Sequence, residues 1–210
     1  MKPYEHVEHG FGPVWDEASQ ILMLGSMPSP KSRAAGFYYM HPRNRFWKVL
    51  EALYPACDGD AARTTDIASN QQAVAHNDGQ LHSESIAVRQ AFLHHHHIAL
   101  WDVLESCDIR GASDASIRNP VVNDLAGIIQ QSRIHAIYAT GTRAAKLFDR
   151  FCSPALEVAG IQMPITALPS TSPANAAMSL DRLIEAYRCI VAVTEPTLET
   201  PGNALSVDCR

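Results

Sequence analysis

The sequence predicts an α/β fold: a parallel sheet of four strands covered on both faces by helices. Two observations predict it. Four short apolar runs of strand length recur along the 210 residues, and stretches of helical spacing lie between them. A third observation says where a ligand would sit. Open parallel sheets bind ligands at the carboxyl ends of their strands. Of the four segments that follow these runs, GSMPSP and PSTSPAN are rich in Ser, Pro and Asn, far from average loop composition.

The elements follow in chain order. QILMLGS (20–26) is an apolar run closed by Gly and Ser, which reads as a buried strand. RNRFWKVLEALY (43–54) sets apolar residues at 46, 47, 50 and 53, a helical spacing, with Pro42 where a first turn tolerates it. Residues 58–85 are polar and aperiodic and read as a surface insertion. A helix over 86–97 leads into a second strand, IALWD (98–102), followed by DVLESCDIRGASD. A helix over 120–132 precedes a third strand, IHAIYAT (134–140). Gly141 and Thr142 open a helix through Phe151; MPITALP (163–169) is the fourth strand, and 179–193 is a final amphipathic helix. The expected organisation is one domain over 1–193 carrying the 58–85 insertion, with a tail over 194–210.

Composition narrows the function. Five cysteines stand at odd number and without CxxC spacing. This fits a reducing cytoplasm and argues against a zinc ribbon or iron–sulfur cluster. His94 to His97 are consecutive, and a helix cannot turn four consecutive residues to one face, so no metal is expected there. No apolar run reaches the ~18 residues of a membrane span, and MKPYEHVEHGFGP lacks a signal-peptide core. The formal charge is −5, but it is unevenly spread. Residues 58–85 hold five acids and one Arg (−4), and 194–210 hold three acids and one Arg (−2), so the other residues sum to +1. Within them lies GSMPSPKSRAAGFYYMHPRNRFW (25–47). With Lys48 it carries Lys31, Arg33, Arg43 and Arg45, no acid, and the aromatics Phe37, Tyr38, Tyr39, Phe46 and Trp47. A basic patch interleaved with aromatics suits a ligand that is both flat and phosphorylated, and nucleic acid is the obvious one.

Two stretches then carry a resemblance: the 25–47 segment, and LPSTSPANAAMSLDRLIEAYR near the end. They resemble the uracil-DNA glycosylase superfamily. The HPxNRFW ending resembles its mismatch-specific branch. The GSMPS start, the YYxHP centre, the STSPAN loop and DVLESCDIRGASDASI look more like the hypoxanthine-DNA (deoxyinosine) glycosylase branch. The similarity spans about 15–57 and 86–193. It implies a three-layer αβα sandwich and a cofactor-free, monomeric, bacterial-type cytoplasmic enzyme of base excision repair. Such an enzyme hydrolyses the N-glycosidic bond of a deaminated base flipped from double-stranded DNA. No Lys stands in a motif for Schiff-base chemistry, so a monofunctional enzyme leaving an abasic site is expected.

Carried over residue by residue, the resemblance makes Asn44 the catalytic residue, its amide holding base and water; the plain alternative is a helix cap. Tyr39 stacks on the flipped base, and the backbone of Gly25, Ser26 and Met27 approaches the base edge. His41 contacts phosphate or structures the loop. Ser29, Lys31, Ser32 and Arg43 meet phosphates. Ser170, Thr171, Ser172, Pro173 and Asn175 pinch the strand beside the lesion. Phe46 and Trp47 belong to the core. Two departures stand out. The uracil type has an Asp where Met27 stands and a His where Leu168 stands, so its usual water activator and leaving-group donor are missing. Asp102 is the acid at the end of an inner strand, open to being a base, an orienter, a cap or a partner of Arg110. The alternatives are a G:U mismatch uracil glycosylase, or a module that binds lesions without catalysis. A serine hydrolase is disfavoured by the lack of a GxSxG elbow.

Overall fold

The computed structural model describes residues 3–55, 85–111 and 113–194. The 58–85 insertion, save Ser85, and the tail beyond Thr194 lie outside the described residues. In chain order the strands are β1 (Glu5–Glu8), β2 (Ile21–Gly25), β3 (Ile98–Asp102), β4 (Leu104–Ile109), β5 (Arg118–Val122), β6 (Ala136–Thr140) and β7 (Ile165–Leu168). The helices are α1 (Pro30–Ala35), α2 (Phe46–Leu53), α3 (Ile86–His95), α4 (Leu125–Gln130), α5 (Thr142–Leu147), α6 (Ser153–Val158), α7 (Leu180–Tyr187) and α8 (Val191–Thr194).

Four parallel strands form the central sheet in the order β3-β2-β6-β7. Ile21, Leu22, Met23 and Leu24 are fully buried. A strand covered on both faces shows such an unbroken apolar run. Its pleat splits the core. Leu22 and Leu24 join Ala99, Ile137 and Ala139 against α4, α5 and α6. Ile21 and Met23 join Ile98, Leu100 and Tyr138 against α2, α3 and α7, where Phe46, Trp47, Leu93, Leu183 and Tyr187 are buried. Phe46 and Trp47 are thus core residues, as expected. The register sets Gly25 opposite Asp102 and Leu24 opposite Ala139. Gly25, Asp102 and Thr140 therefore finish at one edge, and the site is built there. Among the described residues, no helix is long and apolar enough to cross a membrane.

Several elements differ from the sequence expectation. The segment after Asp102 is not an open loop but β4, which pairs with β1 and β5 in a three-stranded antiparallel sheet. Leu104, Cys107 and Ile109 face its core. The helix expected over 120–132 begins only at Leu125, capped by the Asp124 carboxylate on the Ala126 N–H at 3.1 Å. Before it, Pro120 and two β-branched valines form an edge strand, a place that tolerates proline. The basic loop contains a helix, α1. Ser29 caps it, Pro30 opens it, and Gly36 closes it at φ 66°. The helix opened at Thr142 passes through a π-helical turn at Phe148–Cys152 and continues to Val158; Pro154, lacking an N–H, disrupts the regular ladder there.

Candidate active site

A cavity of about 750 Å³ opens at the carboxyl ends of the central strands, within the size range of small-ligand pockets. Gly25 forms part of its floor. A β-carbon on Gly25 would lie 2.1 Å from Asp102 Oδ1 and 3.4 Å from the Tyr39 hydroxyl. Glycine is the residue that permits this approach. The chain leaving β3 is locked to the first loop by Val103 N–H to Gly25 O (2.9 Å) and Leu104 N–H to Ser26 O (3.1 Å).

Asp102 is almost fully buried. Its Oδ2 lies 2.8 Å from His9 Nε2, and its backbone oxygen accepts from Asn123 Nδ2 at 2.9 Å. Its partner is therefore His9 rather than Arg110, whose guanidinium stacks on the Tyr4 ring 4.1 Å away. Thr140 and Tyr39 share a hydrogen bond of 2.9 Å. Tyr39 adopts φ 55°, an uncommon conformation for a bulky residue. Its ring stacks on Phe46 at 3.9 Å. Phe46 thus covers one face of the Tyr39 ring. Burial first, then the Asp102 charge, pushes the Tyr39 phenol well above its usual value, which keeps it a neutral hydroxyl.

Asn44 lines the cavity half-buried at the entrance to α2. Its N–H donates to His41 O (2.8 Å), and its Oδ1 accepts from Phe46 N–H (2.9 Å). The carbonyl half of the amide thus closes a short turn onto the first residue of α2. Its Nδ2 makes no hydrogen bond among the described residues and is available as a donor. His41 Nδ1 accepts from Arg43 N–H at 3.1 Å, a loop-structuring contact, and both residues line the cavity.

The remaining first-loop residues divide. Ser29 lines the cavity while its Oγ holds Ser32 N–H at 3.2 Å. Ser32 is buried, and its Oγ accepts from Met40 N–H at 3.1 Å, so this hydroxyl is committed to holding the loop. Lys31 stands exposed on α1 and does not line the cavity. Met27 and Leu168 are buried in opposite cores and bring no ionisable group.

The second loop, 170–175, forms the opposite wall. Asn175 Nδ2 donates to Ser170 O at 2.9 Å, and Ser172 N–H to Ser170 Oγ at 3.3 Å. Thr171 is buried and Ser172 and Pro173 half-buried. Arg45 ties this loop to the first. Its guanidinium donates to the carbonyls of Ser172 (2.9 Å), Asn175 (2.9 Å) and Met178.

Asp114, in the turn after β4, also lines the cavity. Ser26 Oγ donates to its Oδ2 at 2.5 Å. Burial raises the Asp114 carboxyl above its usual value; the Asp102 charge adds to this, while the Ser26 bond and Arg143 oppose it.

A model of the uracil DNA glycosylase superfamily matches residues 13–190. The chain belongs to that superfamily. Among solved structures, it is similar to a candidate uracil DNA glycosylase of Methanosarcina acetivorans determined by NMR. The TM-score is 0.60 at 26% identity, over 89% of this chain and 99% of that one. It is 29% identical over 177 residues to the hypoxanthine DNA glycosylase of Methanosarcina acetivorans, covering 84% of this chain and 93% of the relative. It is also 29% identical over 119 residues to the hypoxanthine DNA glycosylase of Methanosarcina barkeri, covering 57% and 61%.

In this glycosylase the fold brings together nearly every residue expected to meet the base or the DNA, with Lys31 outside the cavity. Sequence reasoning missed His9 as the partner of Asp102, Asp114 as a wall of the cavity and Arg45 as the clamp between loops. Asp114 was visible as the last acid of the segment following Asp102. Nothing in the sequence joins His9 to Asp102, 93 residues away.

Proposed function

We propose that this glycosylase removes a deaminated base, preferentially hypoxanthine, flipped out of duplex DNA, and leaves an abasic site without a covalent intermediate. The observation that carries the reading is the convergence of both family loops on one cavity, with the free Asn44 Nδ2 among its donors. The Methanosarcina relatives named as hypoxanthine DNA glycosylases support the choice of base. In this reading Asn44 donates to the base or the water, and the face of Tyr39 away from Phe46 stacks on the base. The hydroxyls and amides of 170–175 hold the strand.

A single-turnover assay on duplexes carrying hypoxanthine, uracil or xanthine, with alkaline cleavage of the product, tests it. Wild type releases hypoxanthine. Asn44→Ala slows release by about 10²- to 10³-fold, the usual loss for one positioned donor. Release of uracil alone would shift the assignment to a mismatch uracil glycosylase. Tight lesion binding with no release would leave a recognition module.

Phosphate contact has its own signature. Lys31, Arg43 and Lys48 are exposed. Duplex affinity is expected to fall as salt rises, and removing any one of these charges lowers the log–log slope by about one if it meets a phosphate. Binding titrations at several salt concentrations measure this.

A further inference from the structure

The hydrolytic reading leaves a chemical gap, because Met27 and Leu168 stand where the uracil type has its Asp and His. The cavity nevertheless holds acid–base groups: Asp102 and Asp114 are the carboxylates among its lining residues. We propose that Asp114 is the general acid that protonates the departing base, and that Asp102, oriented by His9, accepts the proton of the attacking water. This assignment rests on the glycosylase reading above.

Each carboxylate has one oxygen fixed and one free. Asp102 Oδ2 is held by His9 Nε2 at 2.8 Å, with both side chains 5% exposed. Its Oδ1 lies against Gly25 and has no hydrogen-bond partner among the described residues. Asp114 Oδ2 is held by Ser26 Oγ, and its Oδ1 has no partner among the described residues. The two come from different elements, the end of β3 and the turn after β4, and meet at the same cavity.

Their surroundings separate the roles. His9 Nδ1 is buried without a partner. Nε2 is the ring nitrogen within reach of Asp102 and the one that can donate to it. That bond fixes Asp102 Oδ2 and leaves Oδ1 as the acceptor. Asp114 has a neutral hydroxyl as its bonded partner. Its burial and the nearby Asp102 charge both favour the protonated carboxyl. A carboxyl raised by burial beside a second one held by a histidine matches the arrangement of an acid and a base.

The step balances. The C1′–N bond breaks with its electron pair passing to the base, and the Asp114 proton goes to a ring nitrogen of that base. Water oxygen bonds to C1′ and gives its proton to Asp102 Oδ1. The products are the free base and the abasic sugar. Asp114 ends ionised and Asp102 protonated, and exchange with solvent resets both. A purine offers ring nitrogens that accept a proton before departure, which gives the site a reason to prefer hypoxanthine.

Asp114 must be protonated, so the rate is full below its raised value and falls as pH rises through it. The other ionisable groups about the pair among the described residues are His9, Tyr38, Tyr39, Cys107 and Arg143, with Arg33, His41 and Arg43 lining the same cavity. Burial pushes both phenols upward and the Cys107 thiol to about 11.

The experiment is the single-turnover rate on hypoxanthine duplex as a function of pH, with thermal melting and lesion-duplex binding measured on each variant. Asp114→Asn is expected to bind the duplex, lose about 10²-fold or more in rate and lose the alkaline limb. Asp102→Asn keeps the duplex-binding surface and is expected to lose about 10²-fold or more in rate. Ser26→Ala keeps the carboxyl but removes the bond that lowers its pKa, so the alkaline limb moves to higher pH; this variant serves if Asp114→Asn fails to fold. An Asp114→Asn enzyme with wild-type rate and limb, or a Ser26→Ala limb that stays in place, overturns the acid assignment alone. Wild type that releases no base from any duplex overturns the glycosylase reading and this assignment together.

Discussion

Gly25→Ala is expected to reduce base release by about 10³-fold or more while lowering stability by about 1–3 kcal/mol. The added carbon would sit 2.1 Å from Asp102 Oδ1, a separation real contacts do not reach. The carboxylate cannot simply swing away. His9 holds its other oxygen at 2.8 Å, Asn123 holds its backbone at 2.9 Å, and the side chain is 5% exposed. Either Asp102 breaks from His9 or β2 and β3 shift apart at the register that pairs Gly25 with Asp102. Both routes disturb the cavity floor, and a displacement of about 1 Å near the reacting atoms can cost 10²-fold by itself. The melting temperature should fall by about 2–12 °C, from the usual 2–4 °C per kcal/mol for a chain of this size. Gly12→Ala is the comparison, since nothing lies within 4 Å of its added carbon. The check is single-turnover base release with melting curves for both variants. A fast Gly25→Ala enzyme would mean that Asp102 moves freely and that the close approach has no catalytic consequence.

The parts of the fold that were legible share a physical cause. A strand buried on both faces must be apolar at every position, so ILML, IAL and AIYA announced β2, β3 and β6. The antiparallel sheet was hidden because β4 meets β5 through register shifts between Leu104 and Asp108, which break the alternation a strand pattern needs. Helix α1 was written in its Ser-Pro start and its glycine stop, but six residues carry no apolar stripe long enough to show. The site divides along similar lines. Asn44 and the two loops are local patterns, and strand ends told where they would converge. The contacts that tune the site are distant in sequence: His9 to Asp102 spans 93 residues, Ser26 to Asp114 spans 88, and Arg45 to Ser172 spans 127. No spacing rule reaches across such intervals, and only the sheet order brings them together.

Arg45 illustrates how a basic residue in a segment expected to meet DNA can serve the protein instead of the phosphate. It stands at the entrance to α2, and its backbone N–H reaches Thr171 O at 3.1 Å. Its guanidinium adds bonds to Ser172 O and Asn175 O at 2.9 Å each, to Met178 O, and a longer one from Nε to Thr171 O at 3.4 Å. These acceptors are carbonyls of one irregular loop that lacks a ladder of its own, and a planar fork of donors matches several of them at once. Arg45→Met keeps the stem and removes the fork. Charge-assisted bonds contribute about 1.5–3 kcal/mol each but are not additive, and some freed carbonyls turn to water. The expected net loss is about 2–4 kcal/mol, with a melting temperature lower by about 4–16 °C. Base release should fall by about 10²-fold, because the wall formed by 170–175 loses its position. Arg45→Lys should rescue little, since a point charge cannot span the carbonyl set. If Arg45 instead met a phosphate, Arg45→Met would melt like wild type, Arg45→Lys would restore binding, and the salt slope would drop by about one. Melting curves, release rates and salt titrations on the two variants therefore decide between a clamp that shapes the second loop and a contact that binds the backbone.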